Sequence, residues 1–117
     1  PILPDKNEDG KHRIEGIGDS FIPNIVNLQA LSPVLRVNDS DAINIARQIN
    51  KLGLSVGISS GANVFGAISK AYELPETYNV ATILCDGNKK YLSTDLCKNK
   101  EENLSKHIKV LNFEILP

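Results

Sequence analysis

Side chains that could do chemistry follow two apolar runs of this sequence. Ser59-Ser60 comes directly after the run Leu54–Ile58, and Cys85-Asp86 comes directly after the run Val80–Leu84. Hydroxyl, thiol and carboxylate groups can hydrogen-bond a ligand, and carbonyl or carboxylate neighbours can orient them. If both runs are parallel strands, the two pairs lie at the same edge of a sheet. In open α/β sheets this edge is where ligands bind.

Each of these side chains also has a plainer interpretation. Ser59 and Ser60 can cap the helix that follows them and do nothing else, and Cys85 can be a small buried apolar residue. The run Gly57-Ile58-Ser59-Ser60-Gly61 is not the nucleophile elbow of hydrolases, because two serines and an isoleucine separate its glycines. The metalloprotease helix motif and the phosphate-binding P-loop are also absent from the sequence.

The cysteines and histidines do not form a metal-ligand pattern. Cys85 and Cys97 lack the spacing of a zinc site, and His12 and His107 are distant from them in sequence. We therefore expect no metal. A disulfide between the two cysteines is possible but unusual in an intracellular α/β protein.

Two amphipathic segments are the elements that would position the chemistry. The cluster Asn38–Asp41 is typical of a helix start, and Gly53 is well placed to end that helix. A second helix begins at the serine turn and is broken near Pro75. The residues predicted to form the apolar faces are Ala42, Ile45, Ala46, Ile49 and Leu52 in the first helix, and Ala62, Val64, Phe65, Ile68 and Ala71 in the second.

Four segments have strand character. They are 33–37, 54–58, 80–84 and 109–116, and the last of these alternates apolar and polar residues. The run 80–84 is apolar except for Thr82, as in parallel strands that are covered on both faces. Strands that alternate with helices of this length predict an α/β fold, a parallel sheet in three αβα layers, with the turns after Gly57 and Leu84 opening on the same side.

The composition is that of an ordinary soluble domain. The chain has 117 residues, 41% of them hydrophobic, and a formal net charge of -1 with acidic and basic residues interspersed. This pattern gives no basic stripe for nucleic acid, no membrane-spanning run and no secretory leader, so we expect a cytosolic protein without those partners. Because the sequence contains no methionine and starts at Pro1, we expect it to be an excised, processed or incomplete piece of a longer chain.

The chain is expected to form one incomplete unit with three parts. Residues 1–13 are polar and predict a surface loop, residues 14–97 hold the α/β pattern, and residues 98–117 combine a charged segment with the terminal strand. Within the second part, Gly16, Ile17 and Gly18 form a tight glycine-spaced loop that could approach a ligand closely. As a phosphate cradle this pattern is weak, because the longer glycine fingerprint is absent.

Three segments together resemble the C-terminal part of the cysteine synthase family. They read GIGDSFIP at 16–23, VGISSGA at 56–62 and DGNKKYLST at 86–94, and the resemblance covers about residues 10–97. These are pyridoxal-phosphate enzymes of the tryptophan-synthase-β-like fold, called fold type II, with two domains. Glu15 and the pair Cys85-Asp86 look more like the second bacterial cysteine synthase type and the cystathionine β-synthase group than like the commonest synthases.

The resemblance implies roles for particular residues. Ser59 matches the serine that hydrogen-bonds the pyridine nitrogen of pyridoxal phosphate, Cys85-Asp86 matches the loop near the ring, and Gly16–Gly18 matches the loop that lines cofactor and substrate. A neutral hydroxyl at the end of a helix dipole would disfavour a protonated ring nitrogen, unless the Asp86 carboxylate reaches it. The Schiff-base lysine and the phosphate cup belong to the N-terminal portion of the family, so this chain alone should not catalyse.

The implied reaction is β-replacement on an activated L-serine, O-acetylserine or O-phosphoserine, with sulfide to give L-cysteine. The N-terminal portion of the same subunit is the implied partner, and the family usually forms homodimers. Cystathionine β-synthase-like or diaminopropionate synthase-like β-replacement is the alternative within the family. A non-catalytic α/β module that holds a carboxylate or phosphate at a helix N-terminus is the alternative from another class.

Overall fold

A computed structural model describes residues 24–30, 34–91, 104 and 107–116. Two compact units divide the chain, Pro1–Arg36 and Val37–Pro117. The first unit contains a short 3-10 helix, Leu28–Ala30. The second contains two α-helices, α1 (Asp39–Lys51) and α2 (Ile58–Ala71), and a 3-10 helix at Asn88–Tyr91. The predicted glycine loop Gly16–Gly18 lies outside the described residues.

The predicted start and end of α1 are confirmed. Asn38 is the N-cap residue in extended conformation, and two carboxylates lie in the first turn, where the helix dipole favours negative charge. The helix ends in a Schellman motif, because the Gly53 N–H donates to Asn50 O and the Leu54 N–H donates to Ile49 O. Gly53 has φ of +100°, a conformation that side chains with a Cβ rarely adopt.

Helix α1 is buried on a wider surface than the sequence predicts. Ala42, Ile45, Ala46 and Ile49 are buried as expected. Ile43 is fully buried as well, so the buried surface of α1 extends beyond the predicted face. Leu52 was expected on the apolar face, but it follows the last turn and is exposed.

Helix α2 buries a stripe different from the predicted one. Its buried residues are Ile58, Ser60, Gly61, Phe65 and Ser69. Of the predicted face only Phe65 is buried, whereas Ala62, Val64 and Ile68 are half-buried and Ala71 is exposed. The difference arises because small residues allow the closest approach between helices, and α2 turns its Gly61 toward α1.

Gly61 is the point of closest approach between the two helices. A Cβ placed on Gly61 would lie 2.0 Å from the Ala42 carbonyl oxygen and 2.9 Å from the Ala46 Cβ. No side-chain movement relieves an overlap with backbone, so only glycine fits at this crossing. The partner of Gly61 in this close approach is therefore helix α1.

The four predicted strands are not formed among the described residues. These residues contain no strand, so the parallel sheet stays a prediction. The expectation that Val80–Leu84 is buried is wrong, because Val80 is 39% exposed and Ile83 is 72% exposed. A strand is defined by backbone hydrogen bonds to a neighbour. Among the described residues, Ile83 O instead accepts side-chain bonds from the Asn63 amide at 2.9 Å and from the Cys85 thiol at 3.9 Å.

The C-terminal segment, residues 107–116, is hydrogen-bonded to α1 through the side chain of Gln48. The Gln48 Nε2 donates to Ile108 O at 2.8 Å, and the Val110 N–H donates to Gln48 Oε1 at 2.7 Å. The glutamine amide thus pairs with the segment as a neighbouring strand would. In the part of the chain that the structure describes, neither α1 nor α2 is long and apolar enough to cross a bilayer.

Candidate functional site

The two turns that the sequence analysis singled out meet at the start of α2. The N-cap residue of α2 is Gly57, and its N–H donates to the Asp86 carbonyl oxygen at 2.9 Å. This bond holds the turn of residues 85–88, hereafter the acidic turn, against the first turn of the helix. The predicted convergence of the turns after Gly57 and Leu84 is therefore confirmed.

Ser59 connects the helix to the carboxylate of the acidic turn. The Ser59 Oγ donates to Asp86 Oδ1 at 3.2 Å, and both residues are half-buried. The first turn of an α-helix has N–H groups without intrahelical partners and a partial positive charge, which favours a carboxylate there. Ser59 and Asp86 thus form an oriented pair that is still partly open to solvent.

Ser60 has a different role from its neighbour. Its side chain is fully buried, accepts a hydrogen bond from the Cys85 N–H at 3.0 Å, and donates to the Asp86 carbonyl oxygen at 3.5 Å. Neither serine caps α2, because its N-cap is Gly57 and makes no side-chain cap bond. Ser60 therefore fastens the acidic turn and has no surface left for a ligand.

Cys85 is an exposed thiol held by an asparagine that sequence reasoning missed. The Asn63 Nδ2 donates to Cys85 Sγ at 3.2 Å and to Ile83 O at 2.9 Å. Asn63 lies in α2, one turn after Ser59. The interpretation of Cys85 as a small buried residue is wrong, because its thiol is exposed beside the Ser59–Asp86 pair. Cys97 lies outside the described residues.

A second polar cluster, also missed from the sequence, holds the other end of the acidic turn. The Asn88 Nδ2 donates to Asn50 Oδ1 at 2.8 Å, the Ser55 Oγ donates to Asn88 Oδ1 at 2.7 Å, and the Asn88 N–H donates to Ser55 Oγ at 3.2 Å. Asparagine and serine near helix ends and turns are common, so their types alone do not reveal this cluster. Only the spatial proximity of the end of α1 and the acidic turn brings the three together.

The geometry can orient a ligand atom but shows no nucleophile activated by a base. The Ser59 hydroxyl has one proton, which it donates to Asp86, so its oxygen retains lone pairs for an incoming donor. The site thus offers an acceptor oxygen, a carboxylate, and a thiol at a helix N-terminus. Such a set suits a ligand with an N–H group or a positive edge.

Comparisons with known proteins give a consistent result. No protein-family model matches the chain. It is 49% identical over 96 residues to cysteine synthase B of Campylobacter jejuni, which covers 82% of this chain and 31% of that protein. It is 35% identical over 94 residues to cystathionine beta-synthase of Apis mellifera, covering 80% of this chain and 19% of that protein.

A solved structure agrees with the sequence comparisons. The hydrogen sulfide-producing enzyme of Fusobacterium nucleatum matches with a TM-score of 0.75 and 49% identity, over 80% of this chain and 28% of that one. A mutant of that enzyme has been solved with an alpha-aminoacrylate intermediate. The chain therefore spans less than a third of the length of these relatives. Its relatives by sequence and structure are named cysteine synthases, a cystathionine beta-synthase and a hydrogen sulfide-producing enzyme, and the chain matches the C-terminal part of that family.

Proposed function

We propose that this chain forms the pyridine side of a pyridoxal-phosphate site in a cysteine synthase-like subunit. The subunit catalyses β-replacement on an activated L-serine, O-acetylserine or O-phosphoserine, with sulfide to give L-cysteine. The observation that carries the proposal is the convergence of Ser59 and Asp86 at the start of α2, with Cys85 beside them. The names of the relatives support the reaction class.

The residues present fit the cofactor by the chemistry of their donors and acceptors. Pyridoxal phosphate supplies an electron sink for carbanion chemistry at the amino-acid substrate. Ser59 would hold the ring nitrogen, Asp86 would orient the Ser59 hydroxyl, and Cys85 would form the wall beside the ring. The assignment of Gly16–Gly18 to the substrate loop rests on the family resemblance.

The Ser59–Asp86 bond alters the electrostatics expected from the sequence. A hydroxyl that donates its proton to a carboxylate can only accept at its remaining positions. Ser59 would then favour a protonated atom opposite its oxygen, and the Asp86 charge would strengthen that preference through the hydroxyl. The partial positive charge at the start of α2 disfavours protonation of the ring nitrogen. The ring would therefore be less electron-poor than a ring bonded directly to a carboxylate, but more electron-poor than a ring bonded to a serine without Asp86.

This chain does not supply every part of the proposed site. The Schiff-base lysine and the phosphate cup would come from an N-terminal portion of the same subunit. The exposed apolar residues of the run 80–84 provide a surface on which that portion could pack. The subunit would work in the cytosol and as a homodimer, as the family resemblance implies.

Substitution of Ser59 in the complete subunit tests the proposal. Ser59→Ala removes the acceptor at the ring nitrogen, and Ser59→Asp places a second carboxylate beside Asp86. Both should change the visible absorption and fluorescence spectrum of the bound cofactor and lower the rate of β-replacement by about tenfold or more. The spectrum and the rate with O-acetylserine and sulfide are the measurements.

A matched control comes from the same helix. Ser69 is buried in α2, and its Oγ has no hydrogen-bond partner among the residues that the structure describes. Ser69→Ala should leave the spectrum and the rate unchanged. If Ser59→Ala and Ser59→Asp both keep the wild-type spectrum and rate, the assignment of Ser59 is wrong.

Cystathionine β-synthase-like activity is the second candidate. The similarity to the Apis mellifera protein supports it. The two candidates differ in the nucleophile, sulfide in one and homocysteine in the other, so competing both with the same activated serine discriminates between them. A preference for homocysteine of about tenfold or more in kcat/KM would assign the chain to the second reaction.

A further inference from the structure

The acidic turn is held at both ends by elements other than its own. Its first residues are fastened to the start of α2 by Gly57 and Ser60, as described above. Its last residue, Asn88, is fastened to the end of α1 by Asn50 and Ser55. Asp86 is part of the first attachment through its carbonyl oxygen and lies two residues before the second, so the position of its carboxylate depends on both.

Asn50 is the centre of the second attachment, and each of its hydrogen-bonding positions is used. Its Nδ2 donates to Ala46 O at 2.7 Å and to Val56 O at 2.9 Å, while its Oδ1 accepts from the Val56 N–H at 3.1 Å and from Asn88 Nδ2 at 2.8 Å. Two donors and two acceptors exhaust the capacity of a carboxamide. Asn50 thereby ties the last turn of α1, the segment before α2 and the acidic turn to one point.

The backbone fixes the orientation of both amides. A backbone N–H can only donate and a carbonyl can only accept, so the two bonds to Val56 determine which end of the Asn50 amide is oxygen. That oxygen requires a donor from Asn88, which in turn directs the Asn88 oxygen to the Ser55 hydroxyl. The cluster therefore has one arrangement in which all its bonds are satisfied.

We propose that Asn50, Ser55 and Asn88 are positioning residues for the site, which set the place of the Asp86 carboxylate and through it the Ser59 hydroxyl. The consequence for catalysis rests on the proposed function, whereas the geometry does not depend on that function. The three residues form a hydrogen-bonded cluster at Asn88, two residues after Asp86. They hold the acidic turn close enough to α2 for the Ser59 hydroxyl to donate to Asp86 rather than to solvent.

Asn88 is the residue to change, because Asn50 also supports the end of α1. Asn88→Ala removes the side-chain bonds to Asn50 and Ser55 and leaves the backbone N–H bond to Ser55, whereas Asn88→Asp retains the side-chain acceptor for Ser55 but loses the donor to Asn50. Gln48→Ala is the matched control: it removes two side-chain bonds from the same helix, but to the C-terminal segment.

Three measurements on the complete subunit test the proposal. Hydrogen exchange of the amides of residues 85–88 in the cofactor-free protein measures how often the acidic turn detaches. In both Asn88 variants these amides should exchange about tenfold faster. In the cofactor-loaded protein, the fluorescence of the cofactor should change and kcat should fall on the order of tenfold with little change in KM. Gln48→Ala should leave all three readouts at their wild-type values.

Several results would overturn the positioning role. Unchanged exchange in Asn88→Ala would show that the cluster does not hold the turn, whatever the enzyme does. Faster exchange with wild-type fluorescence and kcat would show that the position of the turn is irrelevant to the site. A Gln48→Ala protein with the same changes as Asn88→Ala would show a general loss of stability. Failure of the proposed function is read separately, from an unchanged spectrum in Ser59→Ala.

Discussion

Two adjacent serines of the same turn have different roles, and the two side chains differ in how deeply they are buried. Ser59 is half-buried and hydrogen-bonds a side chain, whereas Ser60 is fully buried and hydrogen-bonds backbone. The two residues have the same chemistry and neighbouring positions, so the sequence alone gives no means to decide which is structural. The family resemblance pointed to Ser59, and the partial exposure of its hydroxyl is compatible with that role.

Ser60→Ala should destabilise the protein more than Ser59→Ala. Removal of the fully buried Ser60 hydroxyl takes away the acceptor of the part-buried bond from the Cys85 N–H, which costs about 1 kcal/mol of unfolding free energy. Loss of the half-exposed Ser59 hydroxyl costs less, because water can replace it at Asp86. Urea denaturation of the two variants measures the difference. Equal stabilities would contradict the assignment of Ser60 as the fastener of the acidic turn.

At the scale of elements, helices were predictable and strands were not. The limits of α1 follow from local chemistry: an asparagine and carboxylates at one end and a glycine with positive φ at the other. Val80–Leu84 also has strand composition, but a strand needs a neighbour to pair with. Helices satisfy their hydrogen bonds within themselves, which is why their local pattern is the better guide.

The crossing of α1 and α2 predicts a strong effect at Gly61. Gly61→Ala places a methyl group 2.0 Å from the Ala42 carbonyl oxygen, so the helices must separate. We expect a loss of about 3 kcal/mol or more in the free energy of unfolding, at the upper end for overpacked sites. Thermal or urea denaturation checks this value.

Gly87→Ala provides the comparison for Gly61→Ala. A Cβ on Gly87 meets the Ser55 Oγ at 3.4 Å, which is an ordinary contact. Its effect on stability should stay within about 1 kcal/mol. A Gly61→Ala protein that is as stable as the Gly87→Ala protein would mean that the helices do not cross at this point.

At the scale of the whole molecule, the sequence indicated that two distant turns meet, and it did so from topology. Residues 57 and 86 are brought together as expected. The expected mechanism was a parallel sheet, yet the described contacts that join the turns are the backbone bond from Gly57 to Asp86 and the side-chain bonds of Ser59 and Ser60. Specific polar pairs over such separations depend on the final packing and have no local pattern that would predict them.

The C-terminal segment is the other long-range feature that the sequence left open. Its alternation of apolar and polar residues predicted a half-buried strand, but Leu111 is 71% exposed and Ile115 is 88% exposed. Its described attachment to α1 is the Gln48 amide, which pairs with Ile108 and Val110. The Gln48 side chain therefore contributes to holding a segment whose described residues are largely exposed.

Gln48→Ala should release this segment from α1. The substitution removes a donor from Ile108 O and an acceptor from the Val110 N–H, which together contribute about 1–3 kcal/mol to holding the segment in place. Hydrogen exchange at Val110 should therefore become at least about tenfold faster, while exchange within α2 should not change. Lys51→Ala, at an exposed position of the same helix, is the control for helix propensity and should keep the wild-type rate at Val110. If the Val110 amide exchanges at the same rate in the Gln48→Ala and wild-type proteins, the segment is held by contacts other than this amide pair.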